Sequence, residues 1–327
     1  MGKDGRMTET ILNVEQTPPI LNGSTAETIL EEFGYTIETS TTTDETELID
    51  LIENKVGLMV HAGVPVTRAV IEAGRSLRVI ARCGIGVDNV DLEAAEEAGI
   101  IVVNHPTYSV QEVATHALAH MLAAFRRIPL YDRATRSGSW EWADGAPMGR
   151  LSEMTIGLVG FGSIGRRVAV LASGFGSDII AFDPYVTDAT MHRLNVEPVA
   201  LDELCERANI VSVHAELTEE TAGLIGANEL AAIEPNGVLV NTARGPIIDL
   251  DALVEELEHD GLGYVGLDVA DPEPLPPDHA LYSFENVSVS PHAGWYSERS
   301  REELSHDIAT DVGQALTGEP PVNPVIE

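Results

Sequence analysis

Three residues in the second half of the chain carry usable chemistry, each just after an apolar run. They are Arg244 in Asn241-Thr242-Ala243-Arg244-Gly245, Glu273 in Asp268-Val269-Ala270-Asp271-Pro272-Glu273-Pro274, and His292 in Ser290-Pro291-His292-Ala293-Gly294. A guanidinium is a permanently charged planar fork that binds a carboxylate through paired hydrogen bonds and polarises a neighbouring carbonyl. An imidazole titrates near neutrality, so it can give a proton to a developing alkoxide or take one from a hydroxyl. A carboxylate hydrogen-bonded to that imidazole favours its protonated form and fixes its orientation. Together these groups meet the needs of 2-oxo-acid reduction, or of 2-hydroxy-acid oxidation in reverse, provided a hydride donor lies beside them. Singly, each has a plainer reading: Arg244 a loop cap, His292 a core histidine, Glu273 a solvated acid. The chemical reading rests on all three together, behind a glycine-rich segment earlier in the chain.

That segment is Gly160-Phe161-Gly162-Ser163-Ile164-Gly165. The glycine spacing alone is weak evidence, but here it follows the strand-like run Thr155 to Val159 and opens a helix expected to reach Leu171. Gly160 permits the tight turn, Gly162 lets the backbone approach a pyrophosphate, and Gly165 packs helix on strand. The helix N-terminus adds oriented N–H groups. The next expected strand, Asp178 to Phe182, ends at Asp183. A carboxylate there accepts the adenosine ribose hydroxyls and repels a 2′-phosphate, so the spacing predicts NAD rather than NADP.

Positioning these residues requires a scaffold, and the pattern predicts α/β architecture. Strands are expected at Ile11 to Val14, from Thr36-Ile37, at Gly57 to Val60, Leu77 to Ile80 and Ile101 to Val103. Helices are expected at Ser24 to Phe33, capped by Ser24, and at Glu45 to Glu53. A long apolar helix over 112–127 ends at Arg126-Arg127 and leads to the Trp- and Gly-containing segment Ser137 to Gly149. A second alternation runs from Thr155 to about Ser290, with strands at Gly237 to Val240, Tyr264 to Leu267 and Val287 to Val289. A last helix, Ser297 to Leu316, precedes a Pro-rich tail and is expected to return to the first domain. Alternating strands and helices imply parallel sheets with helices on both faces. Arg244, Glu273 and His292 then all follow C-terminal strand ends, where ligands bind in such sheets.

Composition bounds the function classes. A chain of 327 residues with 44% hydrophobic content suits two packed domains. No apolar run approaches the ~20 residues that cross a bilayer, and no signal-peptide pattern opens the chain, so a cytoplasmic location without membrane association is expected. Met1 to Arg6 reads as an extension, with Met7 a natural start. Cys83 and Cys205 are the only cysteines and lack metal-ligand spacing, so neither a disulfide scaffold nor a metal is expected. Acidic residues number 53 against 19 Lys+Arg, a net charge of -34, and Lys3 and Lys55 are the only lysines. Such a field repels nucleic acid. It also opposes compaction unless salt screens it, which points to a cell with high internal salt.

Those strings, with Cys83-Gly84-Ile85-Gly86-Val87-Asp88-Asn89-Val90-Asp91, resemble the D-isomer-specific 2-hydroxyacid dehydrogenase family over nearly the whole chain. The resemblance implies two doubly wound parallel-sheet domains, with a Rossmann NAD-binding domain (107–296) inserted in a flavodoxin-like substrate domain (7–106 and 297–327). It also implies a cleft that closes by hinge motion and a homodimer built through the cofactor domain. By the same resemblance Arg244 binds substrate, Glu273 supports the histidine, and His292 is the acid/base. Ile85, Gly160, Gly162, Ser163, Ile164, Gly165 and Asp183 would meet the cofactor. So would Ala215, Thr242 and Ala243, and Asp268 would accept from the carboxamide. Ala293, Gly294 and Trp295 would close over the ring, and Ala62 and Gly63 would help hold the substrate carboxylate.

Three departures bear on the substrate. His61 stands where phosphoglycerate dehydrogenases carry a phosphate-binding arginine. The Trp295-Tyr296 pair is similar to the C-terminal-binding-protein subgroup and suggests an apolar side-chain pocket. Glu216 replaces a proline in His214-Ala215-Glu216-Leu217-Thr218. The leading expectation is a 2-oxo-acid reductase. D-3-phosphoglycerate dehydrogenase and an NAD(H)-sensing regulator are the alternatives.

Overall fold

A computed structural model describes residues 9–326. The extension Met1 to Arg6 and the start at Met7 lie outside the described residues. The chain divides into two compact units, Met1–Ser109 with Tyr296–Glu327, and Val110–Trp295.

The first unit runs β1 (Thr10–Val14), α1 (Gly23–Glu32), β2 (Thr36–Ser40), α2 (Glu45–Ile52), β3 (Gly57–Val60), α3 (Arg68–Ala73), β4 (Val79–Arg82), α4 (Leu92–Glu97) and β5 (Ile101–Val103). Its sheet has the order β2-β1-β3-β4-β5, all parallel, which is the flavodoxin-like order. Leu48 and Ile52 of α2, Val70 and Ile71 of α3 and Ala94 and Ala95 of α4 bury one sheet face. Each fully buried Leu or Ile contributes ~1.5–3 kcal/mol, and such burial overrides the weak intrinsic propensity of short helices like α3 and α4.

The second unit runs α5 (Val110–Phe125), α6 (Ile128–Arg136), β6 (Thr155–Val159), α7 (Ser163–Ala172), β7 (Asp178–Phe182), α8 (Asp188–His192), β8 (Glu197–Pro198) and α9 (Leu201–Arg207). It continues with β9 (Ile210–Val213), α10 (Ala227–Ala232), β10 (Val238–Asn241), α11 (Leu250–Glu258), β11 (Tyr264–Leu267) and β12 (Val287–Val289). Its parallel order β8-β7-β6-β9-β10-β11-β12 is the dinucleotide-binding order, with the topological switch between β6 and β9. Ala114, Ala117 and Met121 of α5 pack with Val168 and Ala169 of α7 in one core. Leu204 of α9, Leu230 of α10 and Leu253 of α11 fill another. Both α/β domains match the predicted fold class.

The chain then returns through α12 (Glu298–Thr317) and β13 (Pro324–Ile326) to the first unit. Ser297 caps α12 by accepting from the Ser300 N–H at 2.9 Å, and Gly318 closes it with φ 82°. The helix packs on α1, β4 and β5.

Several local expectations need correction. Ser24 is not the cap of α1: Asn22 holds that position, and the Ser24 hydroxyl donates to the Asn22 side-chain oxygen at 2.9 Å. Strand β4 starts at Val79, two residues late, because Leu77 turns back to donate to the Gly74 carbonyl at 2.8 Å. It ends on buried Arg82, whose polarity hid the extension. The helix over 112–127 stops at Phe125. Arg127 adopts φ 54°, and a separate helix, α6, follows; its half-buried Leu130, Tyr131 and Ala134 share one face at helical spacing, a signal the sequence offered. The Pro-rich tail forms β13, antiparallel to β5, an exception to the all-parallel expectation. Buried Asp311 delivers it by accepting from Val322 N–H at 2.7 Å and Asn323 Nδ2 at 2.9 Å.

Candidate active site

Within the second unit the glycine loop sits at the switch point, and neighbouring backbones dictate its residues. Gly160 has φ 96°, and a Cβ there would lie 2.5 Å from Ala215 N. A Cβ on Gly165 would lie 2.3 Å from the Gly160 carbonyl oxygen. A Cβ on Gly162 would meet nothing within 4 Å, so its face is open to an approaching group. Asp183, at the end of β7, accepts from Phe161 N–H at 2.8 Å and Tyr185 N–H at 2.9 Å. It braces the loop while keeping lone pairs for a further donor. Ser163 and Ile164 open α7. Buried Thr242 Oγ1 has no hydrogen-bond partner among the described residues. An open glycine face, a helix N-terminus, a terminal carboxylate and an orphaned hydroxyl fit a dinucleotide.

The three chemical residues come from loops after adjacent strands. Asn241, at the end of β10, donates from Nδ2 to the Arg244 carbonyl at 2.8 Å and accepts from Ala243 N–H at 3.0 Å. Arg244 is half-buried and donates from Nη1 to the Ala243 carbonyl at 2.8 Å. Gly245 must be glycine, because a Cβ would lie 2.1 Å from the Ala270 carbonyl carbon and oxygen. That close approach brings the Arg244 loop against the loop that carries Glu273. His292 Nδ1 lies 2.8 Å from Glu273 Oε2, and the other carboxylate oxygen accepts from Ala270 N–H at 3.0 Å. The pair is partly exposed, at 30% and 38% for the two side chains. With the carboxylate on Nδ1, Nε2 is left to face a substrate oxygen.

Asp268, 2% exposed at the end of β11, organises the His292 loop. Its backbone carbonyl accepts from His292 N–H at 2.8 Å, and its carboxylate accepts from Ala293 and Gly294 N–H at 2.9 and 2.8 Å. Burial pushes its pKa up, but His116, the Ser290 hydroxyl and these two N–H groups together outweigh burial and leave it lowered. His116, His120 and Ser290 were not singled out from sequence. The i, i+4 histidine spacing on α5 was the available signal, since such residues share a helix face. Trp295 ends the second unit, half-buried.

The remaining sequence-selected residues lie in the first unit. Gly63 N–H donates to His61 Nδ1 at 3.1 Å, which leaves the imidazole proton on Nε2. Burial, and secondarily the charge of Arg82, lower the pKa of His61. Ala62 is half-buried beside it. Asn89 Nδ2 donates to the carbonyls of His61 at 3.1 Å and Val64 at 2.7 Å, fixing this loop. Asn104 Nδ2 donates to the Ile85 carbonyl at 2.6 Å. Both cysteines are buried thiols whose pKa burial pushes up to about 12.

Comparison with known proteins bears on the family. Residues 118–294 match the family model described as the D-isomer specific 2-hydroxyacid dehydrogenase NAD binding domain. The chain belongs to that family. It is 39% identical over 292 residues to a D-3-phosphoglycerate dehydrogenase of Methanocaldococcus jannaschii, covering 89% of this chain but 55% of the relative. It is 38% identical over 263 residues to a glyoxylate reductase of Korarchaeum cryptofilum, covering 79% of each. The TT0316 protein of Thermus thermophilus superposes with a TM-score of 0.87 at 34% identity, over 97% of this chain and 100% of that one. The chain spans about half the length of the phosphoglycerate dehydrogenases it matches. NAD is the family's cofactor, as the glycine loop and Asp183 predicted. No helix among the described residues is long and apolar enough to cross a membrane.

Proposed function

We propose that this protein is an NAD(H)-dependent D-2-hydroxyacid dehydrogenase working mainly as a 2-oxo-acid reductase, with 107–296 as cofactor domain and 7–106 plus 297–327 as substrate domain. The observation that carries the reading is the 2.8 Å contact between His292 Nδ1 and Glu273 in the loop beside Arg244. Arg244 holds the substrate carboxylate through its guanidinium fork and polarises the adjacent carbonyl. His292, as imidazolium, delivers the Nε2 proton to the oxygen as negative charge develops there; in oxidation it removes that proton. Glu273 stabilises the imidazolium without taking its proton. When bound, the nicotinamide supplies the hydride that reduces the carbonyl carbon.

Gly160, Gly162, Ser163, Ile164 and Gly165 would take the pyrophosphate, and Asp183 the adenosine ribose. Ala215 would meet the adenosine side, and Thr242, Ala243 and Asp268 the nicotinamide, covered by Ala293, Gly294 and Trp295. Ile85 would add a cofactor contact, and Ala62 and Gly63 would bind the substrate carboxylate with their backbone groups.

A neutral His61 is a poor anchor for a phosphate dianion, which favours a substrate with an uncharged side chain. The 39% identity to a D-3-phosphoglycerate dehydrogenase supports a second reading in which the phosphorylated acid is the substrate. A homodimer would cover the apolar face of the second unit, where Ile128 is 57%, Trp142 79% and Trp140 86% exposed.

Initial rates with NADH in molar KCl test the proposal. The panel comprises glyoxylate, hydroxypyruvate, phosphohydroxypyruvate, and branched and aromatic 2-oxo acids. Turnover of the non-phosphorylated acids, lowered ~10²–10⁴-fold by His292→Ala with NADH binding retained, is the expected result. Preference for phosphohydroxypyruvate would favour the second reading. No turnover on any acid would refute both and leave a ligand sensor.

A further inference from the structure

The acid/base loop stands in an unusual backbone conformation. His292 has φ 51°, in the left-handed region that residues with a Cβ seldom adopt, so neighbouring groups must hold it there. Asp268 is the immediate holder, through the three backbone contacts described above. Behind it lies a second tier that the reaction does not use directly. Ser290 Oγ lies 2.6 Å from Asp268 Oδ1, 2.9 Å from His116 Nε2 and 2.9 Å from His120 Nε2. His116 Nε2 is also 3.2 Å from Asp268 Oδ1. His120 Nδ1 lies 3.4 Å from Ser288 Oγ.

The hydrogens in this cluster can be counted. Asp268 has a lowered pKa and is therefore an ionised acceptor, so the single Ser290 proton goes to it. Ser290 Oγ must then accept, which places protons on Nε2 of both histidines, an assignment made from the network. His120 Nδ1 is left to accept from Ser288. Burial, and secondarily the charge of His116, push the His120 pKa down to about 4, so this ring is neutral in working conditions. Nitrogen and oxygen donors of this kind also resemble a metal site, since the ligand atoms of His116, His120 and Asp268 lie within 4.8 Å of one another. The Ser290 hydroxyl lies within hydrogen-bond reach of all three and is their shared partner.

We propose that His116, His120 and Ser290 are positioning residues: they hold the Asp268 carboxylate, and through it they set the left-handed turn that orients the His292 imidazole. This rests on the reading of His292 as the acid/base. An apolar residue in place of His120 leaves Ser290 without one donor and lets the Asp268 carboxylate rotate. The Ala293 and Gly294 N–H groups then lose a fixed acceptor, and His292 relaxes toward ordinary φ values. Small displacements of a reacting group cost rate, not substrate affinity.

Two measurements test the proposal. In the native protein, imidazole ¹⁵N NMR should show His120 neutral at pH 6 with its proton on Nε2; a proton on Nδ1 would overturn the network. In kinetics, with NADH and whichever 2-oxo acid of the panel is reduced fastest, His120→Leu and Ser290→Ala should each lower kcat about tenfold or more. KM for the 2-oxo acid should stay at its native value, since Arg244 lies outside the cluster. His120→Gln, whose amide N–H can take the place of Nε2–H, should restore most of the rate, which a merely space-filling role does not predict. Native kcat in both His120→Leu and Ser290→Ala would refute the proposal. His292→Gln separates the two levels. If it abolishes turnover while the positioning variants do not, only the proposal fails; if it is harmless, the acid/base reading fails as well.

Discussion

Replacing Glu273 with glutamine isolates the charge of the pair from its geometry. The native carboxylate meets His292 Nδ1 at 2.8 Å and Ala270 N–H at 3.0 Å. Glutamine can keep one acceptor oxygen in either place but brings no charge. A hydrogen bond to a charged group contributes ~1.5–3 kcal/mol against ~1 for a neutral one. The two side chains are 30% and 38% exposed, so solvent screens part of that difference, leaving about 1–1.5 kcal/mol. The carboxylate stabilises the imidazolium that forms as His292 takes the hydroxyl proton, so Glu273→Gln should slow the oxidation direction about tenfold, with NAD affinity retained. The assay is stopped-flow NAD reduction by the 2-hydroxy acid in molar KCl. A native rate would show that Glu273 does not act through the charge of His292, and the mechanism would need another proton acceptor.

Gly160→Ala puts a Cβ 2.5 Å from Ala215 N at φ 96°, so NADH binding measured by fluorescence should be lost; native affinity would refute the role of the turn. His120 and His214 have pKa values of about 4, below the ordinary 6.5, chiefly through burial. The unfolded chain therefore takes up protons that the native one refuses, and stability falls as pH drops from 6.5 to 4, by up to about 1.4 kcal/mol per pH unit for each ring. Asp268, lowered as well, extends the loss further into acid. Urea midpoints that are flat over that range would contradict this. Removing salt should unfold the protein or slow it, given a net charge of -34, and full activity in dilute buffer would refute the high-salt reading. His61→Arg should raise kcat/KM for phosphohydroxypyruvate relative to uncharged 2-oxo acids, and an unchanged ratio would remove His61 from substrate selection.

The sequence by itself determined the alternation of elements and the fold class, and it singled out the residues proposed for the chemistry. Those signals are local: a strand running into a glycine turn, or a reactive side chain just past an apolar run, needs no distant partner to be recognised. The parallel sheets follow, because such sheets put consecutive strand ends on one edge. Arg244, Glu273 and His292 were proposed for that reason. What only the tertiary structure decided depends on groups far apart in the chain. Arg82 lengthens β4 because its backbone pairs with Val60 of β3, and the tail becomes β13 because Asp311 holds Val322 and Asn323. Helix α6 is set apart from α5 by the left-handed backbone of Arg127, a break that residue types alone do not show, although Leu130, Tyr131 and Ala134 carry helical spacing. The four-residue cluster around Asp268 joins α5 to the loops after β11 and β12, and its meaning lies in hydrogen bonds across more than a hundred residues. Hydrophobic period is written into a segment, whereas a satisfied buried polar group exists only once its partners have been brought to it.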